Sequence, residues 1–147
     1  MPCEFTVTRR VEFSETDMAG IVHYSNFFKY METAEHGFYR SLGYSVVMGD
    51  MDPPIGWPRV HAECDFTKPL RFEDEVSIRL LVEKVGSSSL SFQFRFARLN
   101  PAPQEEIGRG RLTVVCVTRT SEGGLKAVPI PAGLREKLEV APAGLLG

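Results

Sequence analysis

Along residues 4–13 apolar and polar positions alternate: Phe5, Val7, Val11 and Phe13 share one face, interrupted only by Arg9. That is the pattern of a half-buried strand. The turn residues of SETDMAG then break it. From Phe27 the period changes. Phe27, Met31, Ala34, Phe38 and Leu42 recur at helical spacing, widened by Phe28, Tyr30 and Tyr39, while Lys29, Glu32, Glu35, His36 and Arg40 occupy mostly other faces. Ser25 or Asn26 caps the start of this helix and Gly43 suits its stop, so it runs about four turns. Residues 44–58 are irregular, rich in Pro and Gly, and contain the only tryptophan, Trp57.

Strand patterns follow. Val60, Ala62, Cys64 and Phe66 alternate with His61, Glu63 and Asp65, and the turn PLRFEDE ends that run. Val76, Ile78, Leu80 and Val82 make the next, GSSS at 86–89 turns the chain, and Leu90, Phe92, Phe94 and Phe96 make another. After the loop NPAPQEE, Leu112, Val114 and Cys116 complete the last long strand. One strand, one broad amphipathic helix and four strands joined by hairpin-length turns predict an α+β fold, with a mostly antiparallel sheet of about five strands covering the helix. LKAVPIPAGLREKL predicts an extended piece and a short helix entered near Pro131. The tail, residues 139–147, lacks periodicity and is expected to fray. No repeat or linker divides the chain, so residues 1–138 are read as one domain.

Composition narrows the function classes. A 43% hydrophobic, 24% charged chain with formal net charge -2 has no electrostatic case for a nucleic-acid partner. No window is apolar enough for a membrane span. The three cysteines, Cys3, Cys64 and Cys116, have no metal-type spacing. Together with the absence of an apolar targeting segment at the N-terminus, they suggest a reducing cytoplasm. His36, His61 and Glu63 form no HExxH or close His–Cys set, so no metal is expected.

The stretch with chemistry in it is Val11–Gly43. It places Asp17, Gly20 and Tyr24 just ahead of the helix, where unpartnered backbone N–H groups favour negative charge. Alone, Asp17 reads as a turn aspartate bonding its own backbone. DMAGIVHYSNFFKYMETA, however, resembles the loop and helix of the hotdog-fold thioesterases, in particular the 4-hydroxybenzoyl-CoA thioesterase-like family. Asp17, Gly20, Ile21, Val22, His23, Tyr24, Asn26 and Phe27 take that family's places. FTKPLRFEDEV, through Phe66, Pro69, Leu70 and Asp74, and the closing VPIP at Val128–Pro131 are second and third markers, so the resemblance covers roughly residues 4–138. The order His23 then Tyr24 matches the hydroxybenzoyl-CoA type better than the envelope-linked relatives, and the GSSS turn lacks the basic cluster of some aryl-CoA members.

The resemblance implies an antiparallel sheet wrapped around a central helix and a dimer whose sheets join, commonly doubled to a tetramer, with sites at the subunit interface. It implies acyl- or aryl-CoA thioester hydrolysis without metal or other cofactor, coenzyme A being part of the substrate. Asp17 is then nucleophile or general base, Gly20 permits a tight turn at the thioester, and the backbone N–H of Tyr24 holds the oxyanion. His23 orients Asp17, touches substrate, acts as a base or is plain polar surface. Glu32, or Glu35, is the fallback carboxylate, with a surface salt bridge as the default for both. Asn26, Trp57 and Ser88 are expected at the substrate, Trp57 with Met48 and Met51 in the acyl pocket and Ser88 near the CoA phosphates. The competing class is a non-catalytic hotdog module that binds acyl-CoA or acyl carrier protein.

Overall fold

The computed structural model describes residues 3–147. Strand β1 (Glu4–Arg10) is followed by a 3-10 turn (Phe13–Glu15), helix α1 (Ser25–Ser41), and strands β2 (Arg59–Phe66), β3 (Glu75–Val85), β4 (Ser89–Asn100) and β5 (Glu105–Val115). A small β6–β7 hairpin (Val117–Arg119, Leu125–Ala127) and the short helices α2 (Ala132–Arg135) and α3 (Ala143–Leu146) complete the chain. The five long strands form one sheet in the order β1-β3-β4-β5-β2, every pair antiparallel. Among the described residues no helix is long and apolar enough to cross a membrane.

The two alternating runs at the centre build the core. Ile78, Leu80 and Val82 of β3 pair with Phe96, Phe94 and Phe92 of β4, and these six, with Val76 and Leu90, are fully buried. The stripe of α1 lies across them: Phe27, Met31, Ala34, Phe38 and Leu42 are buried, joined by Tyr30 and Tyr39. Ring contacts lock the layers, Phe27 edge-on to Phe96 at 5.3 Å and Phe38 edge-on to Phe92 at 5.9 Å. Close approach is set at Gly110, where a Cβ would stand 2.7 Å from Met31 Sδ.

Several boundaries differ from the sequence pattern. β1 ends at Arg10, and Phe13 is 75% exposed because the 3-10 turn swings it away from the sheet. β2 is an outer strand whose apolar positions are not covered: Val60 is 61% and Phe66 46% exposed, and only Cys64 is partly buried. Among the described residues it is hydrogen-bonded to β5 on one side alone, so alternation there marks a face that these residues do not bury by themselves. The tail expected to fray forms α3 and is tied down: the Ala141 N–H donates to the Val82 carbonyl at 2.8 Å, and Arg95 donates to the Leu145 carbonyl at 3.1 Å.

Candidate active site

The loop between the 3-10 turn and α1 is folded back on the PLRFEDE turn. The Val22 N–H donates to the Leu70 carbonyl at 2.8 Å, and Ile21 forms a bridge with Arg71. That turn is itself closed by Asp74, whose Oδ2 accepts from the Arg71 N–H at 2.9 Å, and is anchored where Val11 donates to the Asp74 carbonyl at 2.8 Å. The motif segments that lie far apart in sequence therefore meet in space, one serving as the floor of the other.

Asp17 sits at the tip. Its N–H donates to the Ile21 carbonyl, its carbonyl accepts from Gly20, and its Oδ1 accepts from the Ala19 N–H at 2.8 Å. The turn-aspartate geometry is thus present, but it occupies a single carboxylate oxygen. Oδ2 has no partner among the described residues. Gly20 has φ +81°, the left-handed conformation that lets the loop reverse in so few residues. The Tyr24 N–H likewise has no acceptor among the described residues, and it sits at the entrance of a 17-residue helix, where the backbone dipoles present their positive end. Asp17 and Tyr24 both line a cavity of about 440 Å³, walled by Val22, Phe27, Phe66 and Leu70. Phe66 stacks on Phe27 at 5.1 Å and on Tyr24 at 6.5 Å, so the wall is largely aromatic. Lys68 stands at this cavity too, paired with Glu105 at 3.0 Å.

The remaining candidates are dispersed. His23 bonds Ser25 Oγ through Nδ1 at 2.8 Å and stacks on the Tyr24 ring at 4.5 Å, which turns it to the helix entrance and away from any bond with Asp17. Asn26, expected at the substrate, is buried and spends its Nδ2 donor on the Glu15 carbonyl at 2.9 Å. Trp57, expected in the acyl pocket, is a core residue: it is 5% exposed, stacks on Tyr39 at 5.9 Å, directs Nε1 to Met48 Sδ, and does not line the Asp17 cavity. Ser88 lies beyond the far end of β3, about 30 Å along the strand from the Asp17 loop within one chain. Its hairpin is held by Arg135, which donates to the Gly86 and Ser87 carbonyls.

Glu32 is exposed and borders a separate cavity of about 150 Å³ with Phe28, Glu35, Arg59 and Ala62. Glu35 is no surface residue. It is fully buried, and its Oε1 pairs with the Arg59 guanidinium, which also donates to the Trp57 carbonyl at 2.8 Å. Burial pushes its carboxyl up to about 7, while Arg59 pulls in the opposite direction. The sequence signal for this was Arg59 itself, a cation two residues after the buried Trp57, but nothing in the helical spacing pointed to its partner. Elsewhere, His61 and Glu63 pair with each other at 2.6 Å on the exposed strand. Among the described residues no group of three or more His, Cys, Asp or Glu side chains is arranged to hold a metal ion.

A family model described as the thioesterase-like superfamily matches residues 11–138. A 1,4-dihydroxy-2-naphthoyl-CoA hydrolase of Prochlorococcus marinus (strain MIT 9211) is 28% identical over 106 residues, covering 67% of this chain and 70% of that protein. Among solved structures, a gentisyl-coenzyme A thioesterase is similar at 33% identity with a TM-score of 0.74, covering 88% of this chain and 98% of the other. The 4-hydroxybenzoyl-CoA thioesterase of Pseudomonas sp. strain CBS-3 shares the fold with a TM-score of 0.83 at 22% identity, over 92% of this chain and 99% of its own. The sheet order, the helix laid across it and the span of the family match agree: the chain belongs to the thioesterase-like superfamily and has its hotdog fold.

Proposed function

We propose that the protein is a thioesterase that hydrolyses an acyl- or aryl-CoA thioester to the free acid and coenzyme A. The observation that carries this reading is the pairing, in one cavity, of a carboxylate oxygen and a helix-entrance N–H that both lack partners, Asp17 Oδ2 and the Tyr24 N–H. Attack on the thioester carbon pushes negative charge onto the carbonyl oxygen, and the N–H at the positive end of α1 stabilises it there. Asp17 either takes a proton from the attacking water or attacks directly, giving an anhydride that water then opens. In both routes the C–S bond breaks, the sulfur leaves as thiolate and is protonated, and water supplies the oxygen and hydrogen of the products. No metal or redox cofactor enters the scheme.

The cavity is open in a single chain, and Phe66 belongs both to its wall and to the uncovered outer strand. This supports a site completed by a second copy joined along β2; the family resemblance adds the pairing of dimers into tetramers. The names of the relatives, which act on naphthoyl, gentisyl and hydroxybenzoyl thioesters, favour an aryl group, and the ring stack of Tyr24, Phe66 and Phe27 is compatible with one.

The test is release of free thiol from a panel of acetyl-, hexanoyl-, palmitoyl-, benzoyl- and 4-hydroxybenzoyl-CoA. Turnover on at least one member, lowered about 10²-fold or more in kcat by Asp17→Asn, is the expected result. Tight binding across the panel without thiol release would make the protein a binding module instead.

A further inference from the structure

Behind the Asp17 loop stands a second carboxylate that the proposed chemistry does not use. Glu15 closes the 3-10 turn, and its side chain is only 14% exposed. Oε1 accepts from the hydroxyl of the fully buried Tyr30 at 2.9 Å and from the Glu12 N–H at 2.9 Å. Oε2 accepts from Arg9 Nη2 at 2.5 Å, and the Arg9 guanidinium lies over the Tyr30 ring, 4.7 Å from its centroid. The Glu15 carbonyl accepts twice more, from the His23 N–H and from Asn26 Nδ2, each at 2.9 Å. One residue thereby ties β1 through Arg9, the second turn of α1 through Tyr30, and the entrance of α1 through His23 and Asn26.

Its place in the chain gives that convergence a consequence. Glu15 is separated from Asp17 only by Thr16, which is itself bridged to Val22. On the other side, the His23 N–H that Glu15 holds belongs to the residue whose carbonyl forms the peptide with the Tyr24 N–H. The side chain of Glu15 therefore fixes where the loop leaves for Asp17, and its carbonyl fixes where the chain returns at Tyr24. We propose that Glu15 is a positioning residue, setting the separation of the Asp17 carboxylate from the Tyr24 N–H across the cavity. The inference rests on the thioesterase reading given above. Asp17 is on an exposed loop tip and has no ion pair among the described residues, so without this anchor the tip has only its own turn hydrogen bonds and the PLRFEDE contacts to hold it. Misplacing a reacting group by about an ångström costs on the order of 10²-fold in rate, which makes an anchor of this kind consequential.

The experiment measures kcat and KM on the best substrate of the CoA thioester panel for Glu15→Ala, Glu15→Gln, Tyr30→Phe, Asp17→Asn and the double variant Asp17→Asn/Glu15→Ala. All are assayed well below the melting temperature of each variant, so that a change in folded fraction does not enter. Glu15→Ala is expected to lose roughly 10-fold or more in kcat with KM changed by less than about threefold. Glu15→Gln, which keeps an acceptor for Tyr30 and for the Glu12 N–H, is expected to recover part of that loss, and Tyr30→Phe to show a smaller one. If Glu15 acts through Asp17, the double variant is no slower than Asp17→Asn alone. A folded Glu15→Ala enzyme with kcat within about twofold of wild type overturns the inference, as do losses that multiply in the double variant. Should Glu15→Ala fail to fold, Glu15→Gln and Tyr30→Phe carry the same comparison. An Asp17→Asn enzyme that turns over normally is a different outcome: it removes the Asp17 reading, and with it the basis of this one.

Discussion

The Glu35 carboxylate pairs with the Arg59 guanidinium across the gap between the buried face of α1 and the first residue of β2. Glu35 has no exposure at all, and among the described residues Oε2 finds no hydrogen-bond partner, nor does the nearby Tyr39 hydroxyl. Arg59 covers one oxygen only, so desolvation wins and the carboxyl rises from 4.5 to about 7.

The first prediction follows from that shift. A carboxyl raised on folding binds its proton more tightly in the folded chain, so its contribution is fully present below 4.5 and is lost as pH rises through about 7. The difference between the ends of that window is on the order of 3 kcal/mol. His36, held below its ordinary value mainly by burial, contributes with the opposite sign as pH climbs toward 6.5; Glu32, Arg40 and Arg59 also act on this cluster. Comparison with Glu35→Gln isolates the carboxyl. From about pH 5 to about pH 8 the melting temperature of the wild type is expected to fall relative to that of Glu35→Gln. Parallel profiles would mean that Glu35 does not titrate in this range.

Tyr24 is expected to matter through its backbone. Its ring is 60% exposed and its hydroxyl makes no hydrogen bond among the described residues. Tyr24→Phe should therefore change kcat by less than about threefold, against the 10²-fold scale of Asp17→Asn. A loss in Tyr24→Phe as large as that of Asp17→Asn would place the phenol in the chemistry.

Phe66 is a test of the cavity wall. It is 46% exposed in one chain, so Phe66→Ala removes little core, but it deletes the ring stacked between Phe27 and Tyr24. KM is expected to rise about 3- to 10-fold with a smaller change in kcat, the scale of one lost aromatic contact. Unchanged KM would show that the acyl group binds elsewhere.

Gly20→Ala isolates conformation from space. Among the described residues no atom stands within 4 Å of an added Cβ, yet φ is +81°. The cost, read from denaturant unfolding, is expected to be about 1 kcal/mol, and less for Gly20→Asn, which tolerates the left-handed region. An alanine variant as stable as wild type would show that the turn relaxes into another geometry.

Val60 addresses assembly. A lysine at this 61% exposed position places charge on the uncovered strand, a substitution that blocks edge-to-edge pairing. Val60→Lys is expected to sediment as a monomer and to lose turnover. An intact oligomer would put the subunit contact on another face.

Much of the molecule was legible in the chain. The spacing of Phe27, Met31, Ala34 and Phe38 specifies a helix with one buried stripe, because a 3.6-residue period returns those side chains to one line. The alternation in β3 and β4 specifies strands buried on that face, and the DMAG turn with its left-handed glycine specifies the loop that carries Asp17. These are local consequences of side-chain period and backbone sterics, so the sequence alone contains them.

What the sequence did not contain were outcomes decided by which element lies at an edge and which lies beneath another. Val60 and Phe66 alternate as core residues do, yet they are uncovered because β2 is outermost in the sheet. Glu35 stands one position off the apolar stripe of α1, and only the approach of Arg59 from a strand 24 residues away lets the helix bury it there. Trp57 and Asn26 have chemistry suited to a ligand, but the packing of Tyr39 and the carbonyl of Glu15 claim them first. Periodicity determines which face of an element is apolar; only the assembled sheet and helix determine what, if anything, covers it, since burial depends on neighbours that are distant in the chain.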